Sequence, residues 1–300
     1  MPILELEKIE KSYGSNKALD SLSYRFEPGV YGILGANGAG KSTLMNIICC
    51  ILNADAGKIV YNGKEVNGRD GNYRSILGYM PQNNMLYPNY SLKDFLMYIA
   101  AMKGILKTEA GAEVKRVIEA VNLSDVAVKK LGSFSGGMKQ RAMLAQSILG
   151  NPEILVLDEP SAGLDPLERV RIRNLISRLA ENKIVIVSTH IVSDIEMIAE
   201  NIIILKKGIM AEQGKPDAIC EKLDGRVFER VCSDEEYNSF FRNDKIVTAI
   251  KREMGQLRVR FISTEKEDGD MAVIPSLEDV YLYYFEGENL NVDTRTEKNS

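Results

Sequence analysis

The sequence predicts an α/β fold in which helices flank a parallel sheet, with an antiparallel β subdomain before it and a small α+β domain after it. Short apolar runs alternate with helical patterns between residues 154 and 205, which is typical of a parallel sheet covered by helices. Residues 3–26 alternate apolar and polar positions, as strands with one solvated face do. Between residues 88 and 150 the spacing is helical, which predicts a helical subdomain.

The elements of the larger domain follow in a clear order. Two strands with a turn at Ser12–Asn16 come first, and a buried strand at Val30–Leu34 leads into a glycine-rich loop. A helix is expected at Ser42–Leu52 and a strand at Ala56–Tyr61. After the helical region the predicted order is strand Ile154–Leu157, helix Leu167–Glu181, strand Ile184–Ser188, helix Val192–Ala199 and strand Ile202–Leu205.

Length and composition predict a second domain, at 216–300, after a main domain at 1–215. The 300 residues are many for one compact domain, and the composition changes after about Lys215. The polar tail at 287–300 is predicted to be disordered. The smaller domain is predicted to contain a short helix, a hairpin and an aromatic helix, at Glu235–Phe241, Lys245–Ile250 with Leu257–Ile262, and Ser276–Phe285.

Composition and charge disfavour several classes of protein. The hydrophobic content of 45% is that of an ordinary soluble protein, and the net charge of −4 gives no electrostatic footprint for nucleic acid. The four cysteines lack CxxC spacing and are expected to be reduced thiols in a cytosolic protein. We see no signal segment and no apolar run near the ~20 residues that span a bilayer, so any membrane role is expected to come through a partner.

A glycine-rich loop carries the strongest chemical signal. It matches the pattern GxxxxGK[ST] and lies between a predicted strand and a predicted helix. Glycines let backbone N–H groups converge on phosphate oxygens, and the helix adds its positive end beneath them. Lys41 supplies a cation for the β- and γ-phosphates, and the Ser42 hydroxyl is a Mg²⁺ ligand. The predicted nucleotide-binding residues are Gly35, Ala36, Asn37, Gly38, Ala39, Gly40, Lys41, Ser42 and Thr43.

Two adjacent carboxylates follow the apolar strand Ile154–Leu157. Ligands of parallel sheets gather at the carboxyl ends of the strands, so Asp158 and Glu159 are expected to lie near the same phosphates. Asp158 is then a predicted Mg²⁺ ligand, and Glu159 is predicted to orient or deprotonate the attacking water. Without the glycine-rich loop, the same pattern would indicate only a strand that meets solvent.

The segment Phe134–Arg141, Phe-Ser-Gly-Gly-Met-Lys-Gln-Arg, resembles the signature sequence of the ABC ATPase family. Further motifs of that family match in order over residues 3–215, and the resemblance implies a P-loop NTPase core. The matches are Tyr13 as the aromatic that stacks on adenine, Gln82 as the glutamine that touches Mg²⁺, Ser161–Asp165 as the D-loop and His190 as the switch histidine.

The resemblance implies an enzyme that hydrolyses ATP with Mg²⁺. By this resemblance, His190 is expected to hold the γ-phosphate and to help Glu159 position the attacking water. The residues that match catalytic positions of the family are Glu159, His190 and Lys41. Those that match its Mg²⁺ ligands are Ser42, Gln82 and Asp158.

The resemblance also implies partners. Two cassettes would sandwich two ATP molecules, in a homodimer or in a heterodimer with a second ABC ATPase. The γ-phosphate held by one cassette would then be contacted by Ser135, Gly136 and Gly137 of the other. Asp165 of the D-loop is a further predicted nucleotide-binding residue. A transmembrane permease on a separate chain would hold the pair at the cytoplasmic face of the cell membrane, and no nucleic acid is expected as a partner.

Softer matches favour the single-cassette ATPases of ABC-2-type exporters. Phe134 and Met138 stand where the family usually has Leu and Gln, and this variant of the signature resembles that branch. Segments 86–105 and 275–282 resemble it as well. The helices after Gln82 contact the permease in the family, so four residues there either line a docking groove or belong to the core: Tyr87, Phe95, Met97 and Met102.

Two other functions compete with the exporter hypothesis. One is a soluble ABC ATPase that acts on ribosomes or DNA. This chain has one cassette and only about fifty residues between Gln82 and Ser135, too few for the long coiled coil of the chromosome and repair branch. The other is a regulatory subunit that binds ATP without turnover, which the intact Lys41, Glu159 and His190 disfavour.

Overall fold

The structure, a computed structural model, describes residues 1–66, 70–83, 86–240, 245–253 and 255–296. The chain divides into two compact units, Met1–Met210 and Ala211–Ser300. The sequence placed this boundary slightly later, at residue 215. None of the helices in these described ranges is both long and apolar enough to cross a membrane.

The elements up to residue 214 are numbered along the chain. The strands are β1 (Leu4–Tyr13), β2 (Asn16–Phe26), β3 (Gly29–Leu34), β4 (Ala56–Tyr61), β5 (Lys64–Val66), β6 (Leu77–Met80), β7 (Ile154–Asp158), β8 (Ile184–Thr189), β9 (Asn201–Lys206) and β10 (Ile209–Gly214). The helices are α1 (Lys41–Ile48), α2 (Gly71–Ser75), α3 (Leu92–Met102), α4 (Lys107–Ala120), α5 (Gly136–Ser147), α6 (Pro166–Leu179) and α7 (Val192–Glu196).

The first strands form an antiparallel sheet in the order β2-β1-β4-β5. The inner strand β1 pairs on both sides, so that Leu4 lies opposite Phe26 in one neighbour and Tyr61 in the other. Leu4 and Leu6 are buried, whereas Glu5 between them is only half-buried. This alternation is what one buried face requires, and the predicted antiparallel subdomain is confirmed.

In the first unit, a second sheet contains strands in the order β9-β3-β8-β7-β6. The strands from β9 to β6 in this order pair in parallel. Every residue of β3, β7 and β8 is buried, as expected for parallel strands whose two faces are both covered. The register places Leu34 opposite Thr189 and Asp158 opposite Ser188, so these strands end at one edge of the sheet.

Helices α3, α4 and α5 make up the helical region that the sequence predicted. α3 begins after Ser91, whose hydroxyl accepts a hydrogen bond from the Asp94 N–H at 3.1 Å. α5 begins in the same way after Ser135, which accepts from the Met138 N–H at 3.3 Å. Such caps satisfy backbone donors of the first turn and fix where a helix starts.

The second unit is an antiparallel sheet with helices, in the strand order β12-β13-β11-β14. Phe228, Val259 and Phe261 are buried together in its apolar cluster. Its elements are α8 (Pro216–Cys220), β11 (Val227–Cys232), α9 (Asp234–Phe240), β12 (Ile246–Glu253), β13 (Gln256–Ile262), β14 (Met271–Ala272) and α10 (Leu277–Thr296).

α10 is longer than the predicted aromatic helix at Ser276–Phe285 and continues through Thr296, into the segment 287–300 that was predicted to be a disordered tail. That prediction rested on the lack of apolar residues. A helix is also extended by its own backbone hydrogen bonds, and most polar residues disfavour it by only about 0.7 kcal/mol or less relative to alanine. Residues 297–300 lie outside the described residues.

An ion pair joins the start of α10 to β13. The Asp279 carboxylate is 1% exposed, lies 2.7 Å from Arg260 Nη2 and accepts bonds from the N–H and hydroxyl of Ser276, both at 2.8 Å. Arg260 also donates to the Ile274 carbonyl. Burial by itself raises the pKa of Asp279, but the bonds from Arg260 and Ser276 outweigh it and hold the pKa below its usual value.

We expect Asp279→Asn to destabilise the second unit by about 3 kcal/mol at pH 7, because Arg260 loses its buried counter-charge. The folded-state pKa of Asp279 is depressed, so its contribution is complete above the unfolded pKa of about 3.9 and is lost as the pH falls through the folded pKa. Calorimetric unfolding of the full chain at pH 7 and pH 3 measures both effects.

The matched control is Glu278→Gln, which changes the neighbouring exposed carboxylate and should leave the unfolding transition unchanged at either pH. Equal melting temperatures for Asp279→Asn and the wild type at pH 7 would contradict the stabilising role of the ion pair.

Candidate nucleotide-binding site

The glycine-rich loop joins β3 to α1, and close backbone packing fixes its course. A Cβ added at Gly35 would lie 2.6 Å from the Leu205 carbonyl oxygen, and one added at Gly40 would lie 2.4 Å from that of Ala18. Gly40 also has a φ of 107°, in the left-handed region that favours glycine. Side chains are therefore excluded at both ends of the loop.

The Lys41 ammonium lies under this loop. The residue is 6% exposed, and Nζ donates to the carbonyl oxygens of Gly35 at 2.6 Å and Ala36 at 3.2 Å. Burial lowers the pKa of Lys41, while the nearby charges of Glu159 and Asp158 oppose that shift. The cation and both carboxylates predicted from the sequence thus belong to one electrostatic cluster.

A cavity of about 290 Å³ opens above the loop. It brings together Tyr13, the glycine-rich loop, Gln82 and Glu159, which are far apart in the sequence. Asn16 and Ala18 also line it and were missed, because neither belongs to a recognisable motif. The full lining is Tyr13, Asn16, Ala18, Asn37, Gly38, Gly40, Lys41, Ser42, Thr43, Gln82 and Glu159.

Ser188 of β8 bonds the carboxylate of Asp158 and the backbone of Glu159, the two acidic residues at the end of β7. The Ser188 hydroxyl donates to Asp158 Oδ1. The backbone N–H of Glu159 donates to the Ser188 carbonyl at 3.1 Å and lies 3.2 Å from its hydroxyl oxygen. Glu159 has a φ of 51°, a left-handed conformation that costs a non-glycine residue roughly 1–2 kcal/mol. Ser188 was missed as a site residue, although it ends a predicted strand two residues before His190.

His190 meets Glu159 at the rim of the cavity. Its Nδ1 lies 2.9 and 3.0 Å from the two carboxylate oxygens of Glu159. The side chain of Glu159 is 4% exposed and that of His190 is 53% exposed. The pair therefore joins a nearly buried carboxylate to a ring that faces solvent.

The signature residues lie outside this cavity. Ser135 and Gly136 are exposed at the start of α5, and Gly137 is buried against Glu168, whose side chain occupies the space of a Cβ. Asp165 is exposed and caps α6 by accepting from the Glu168 N–H at 2.9 Å. Within one chain, the structure does not bring Ser135, Gly136 or Asp165 to the nucleotide cavity.

A second cavity, of about 690 Å³, lies beside the helical region. Of the four residues proposed for a docking groove, Tyr87, Phe95 and Met102 line it and Met97 does not. Met102 is 69% exposed and Phe95 is 3% exposed, so the groove has apolar side chains both at its surface and in its floor. Its lining is Asn46, Cys49, Ile51, Arg74, Leu77, Tyr79, Pro81, Tyr87, Phe95, Tyr98, Ile99, Met102, Lys103, Met143 and Gln146.

A phosphate-binding loop at the edge of a parallel sheet, beside paired carboxylates, defines a P-loop nucleotide-binding protein. Residues 19–162 match the family model described as ABC transporter. The chain is 34% identical over 220 residues to the Nod factor export ATP-binding protein I of Burkholderia thailandensis, which covers 73% of this chain and 72% of that protein. The chain belongs to the ABC transporter family as an ATP-binding subunit, and it is an ATPase.

Solved structures agree with this assignment. CbiO1 from Clostridium perfringens, part of the ABC transporter complex cbiONQ, has a TM-score of 0.66 at 26% identity, over 72% of this chain and 89% of that chain. The cassette MJ0796, solved as a dimer in a post-hydrolysis state with ADP and Pi, has a TM-score of 0.64 at 26% identity, over 71% of this chain and 98% of that chain. The predicted fold class is confirmed.

We expect Gly40→Ala to destabilise the nucleotide-free protein by at least about 2 kcal/mol. The new Cβ would meet the Ala18 carbonyl oxygen, and alanine would be strained at this φ. Gly38→Ala is the matched control, since Gly38 has a φ of 80° but no atom within 4 Å of an added Cβ. That variant should show only the backbone strain of about 1 kcal/mol. Thermal unfolding of both distinguishes them, and equal losses would contradict the packing argument.

Proposed function

We propose that this ATPase drives export through a permease carried on a separate chain, with Glu159 as the residue that activates water. The observation that carries the catalytic part is the Glu159–His190 contact at 2.9 Å beside the cavity of the glycine-rich loop. A buried carboxylate that is oriented by a second titratable group is the arrangement expected of a general base.

Hydrolysis requires water to attack the γ-phosphate in line with the leaving oxygen, and catalysis consists mainly of positioning and charge stabilisation. Glu159 would orient the water and accept its proton, and the exposed ring of His190 would contact the γ-phosphate. The Lys41 ammonium, now bonded to loop carbonyls, would exchange these partners for β- and γ-phosphate oxygens.

The residues around the cavity fit a magnesium ion. Ser42 and Gln82 contribute hydroxyl and amide oxygens to the lining, and Asp158 is a buried carboxylate at the adjoining strand end. Such oxygens, completed by water, are the ligands that Mg²⁺ takes in nucleotide sites. Held by Ser42, Gln82 and Asp158 when ATP is bound, such an ion would supply positive charge to offset the charge of the phosphates.

The exposure of Tyr13 supports a contact with adenine, and that of the signature residues supports a sandwich of two cassettes. Tyr13 is 51% exposed at the cavity, which suits stacking on adenine. Ser135 and Gly136 are exposed at a helix start outside the cavity, so a second cassette would carry them to ATP. The dimeric MJ0796 cassette supports this arrangement. Asp165, exposed at the start of α6, is proposed with them as a nucleotide-binding residue.

The groove beside the helical region is the proposed docking site for the permease. Its exposed apolar side chains, Tyr87, Tyr98 and Met102, suit a helix of a partner protein. The export activity named for the Nod factor relative supports the same direction of transport here. The ATPase would then be held at the cytoplasmic face of the cell membrane by this partner.

We expect Glu159→Gln to reduce ATP turnover by about 10²–10⁴-fold while ATP binding is retained, because the amide cannot accept the proton of water. The variant should accumulate as an ATP-bound dimer. Phosphate release and light scattering of the full chain measure turnover and mass. Glu181→Gln, at an exposed position after α6, is the control, and unchanged turnover in Glu159→Gln would overturn the assignment.

We expect the double variant Tyr98→Ser with Met102→Ser to lose a co-purifying membrane protein, because it removes exposed apolar contacts from the groove. Its ATP turnover as an isolated chain should stay near the wild-type value. Affinity purification from detergent-solubilised membranes tests this, with the exposed Val128→Ser as the control. If the wild-type chain recovers ribosomes or DNA in place of a membrane protein, the result would instead support a soluble ABC ATPase.

A further inference from the structure

A buried side-chain bond joins the D-loop to α7. The Ser161 hydroxyl donates to Asp194 Oδ2 at 2.6 Å, and the two residues are 3% and 5% exposed. Arg173 of α6 lies on the other side of the carboxylate, with Nη1 3.6 Å from Asp194 Oδ1, and it donates to the Ser193 carbonyl at 3.0 Å. The hydroxyl and the guanidinium together replace the water that the buried carboxylate has lost.

The position of this bond relates it to the Glu159–His190 contact. Ser161 lies two residues after Glu159, and Asp194 lies four residues after His190. The Ser161–Asp194 bond therefore connects the two chain segments just beyond the contact. Ser188 connects the same two segments just before it, through its bonds with Asp158 and the Glu159 N–H.

The backbone of Glu159 explains why two such connections are needed. Its φ of 51° is unfavourable for a side chain that has a Cβ, and such conformations persist only where the surroundings over-determine them. Ser188 restrains the chain on the β7 side of Glu159. On the other side of Glu159 the chain continues to the exposed Asp165. In this segment the Ser161 side chain provides a restraint through its bond to the buried Asp194 of α7.

We propose that Ser161 and Asp194 form a positioning pair that holds the strained Glu159 backbone, and with it the carboxylate, in line with His190. The inference rests on the catalytic role proposed for Glu159. Neither residue of the pair lines the nucleotide cavity, so their effect acts through Glu159 and His190 and not on ATP directly. Loss of the bond would let the Glu159 turn relax, and small displacements of a catalytic group strongly reduce rate.

The test compares Asp194→Ala, Ser161→Ala and the double variant in the full chain. We expect each single variant to lower kcat about tenfold or more, with KM for ATP and the ATP dissociation constant within twofold of wild type. The kcat of the double variant should be about equal to that of the less active single variant, because each single change already removes the same bond. Asp194→Asn should recover most of kcat, since its amide oxygen still accepts from Ser161.

Glu196→Ala, at an exposed position in α7, is the matched control and should leave kcat unchanged. A wild-type kcat in Ser161→Ala overturns the inference, and so does a double variant whose loss is the product of the two single losses. Ser161→Ala deletes one oxygen atom, so it decides the matter even where Asp194→Ala does not fold. Unchanged turnover in Glu159→Gln would refute the proposed function itself, whereas an inactive Glu159→Gln beside an active Ser161→Ala would refute this inference alone.

Discussion

The parallel register of β3, β8 and β7 is the constraint on which the site depends. Pairing of Leu34 with Thr189 and of Asp158 with Ser188 brings three strand ends to one edge of the sheet. The glycine-rich loop, the two carboxylates and His190 each lie at or just after the end of one of these strands. Since a slip of one residue would turn every buried side chain of a strand to the opposite face, the apolar core fixes this alignment.

The same edge concentrates charge and strain that the rest of the unit compensates. Lys41, Asp158 and Glu159 are all nearly buried, and their opposite charges partly offset the loss of hydration. Glu159 occupies a left-handed conformation; Ser188 of β8 bonds its backbone N–H, and Asp194 of α7 bonds Ser161 two residues later. Residues in strained conformations cluster at functional sites because the surrounding packing, and not local preference, selects them.

Sequence patterns predicted the major elements well where an apolar run was long. β3, β7 and β8 are strands within one or two residues of their predicted bounds. The helix expected to end at Leu52 ends at Ile48, because Cys50 adopts a φ of 54°. The short strand β6 was missed because its four residues carry too little periodicity to distinguish them from a loop. The length of α10 was missed because helix continuation depends on backbone bonds and not only on an apolar face.

The sequence by itself determined the class of chemistry, since the glycine-rich loop, the paired carboxylates and the signature segment are local patterns with few other uses. The tertiary structure decided which residues act on one another. The contacts of Glu159 with His190 and of Ser161 with Asp194 join residues some thirty positions apart, and they exist only because β7 and β8 are neighbours in the sheet. Strand pairing is set by burial over the whole core, so no local pattern encodes it.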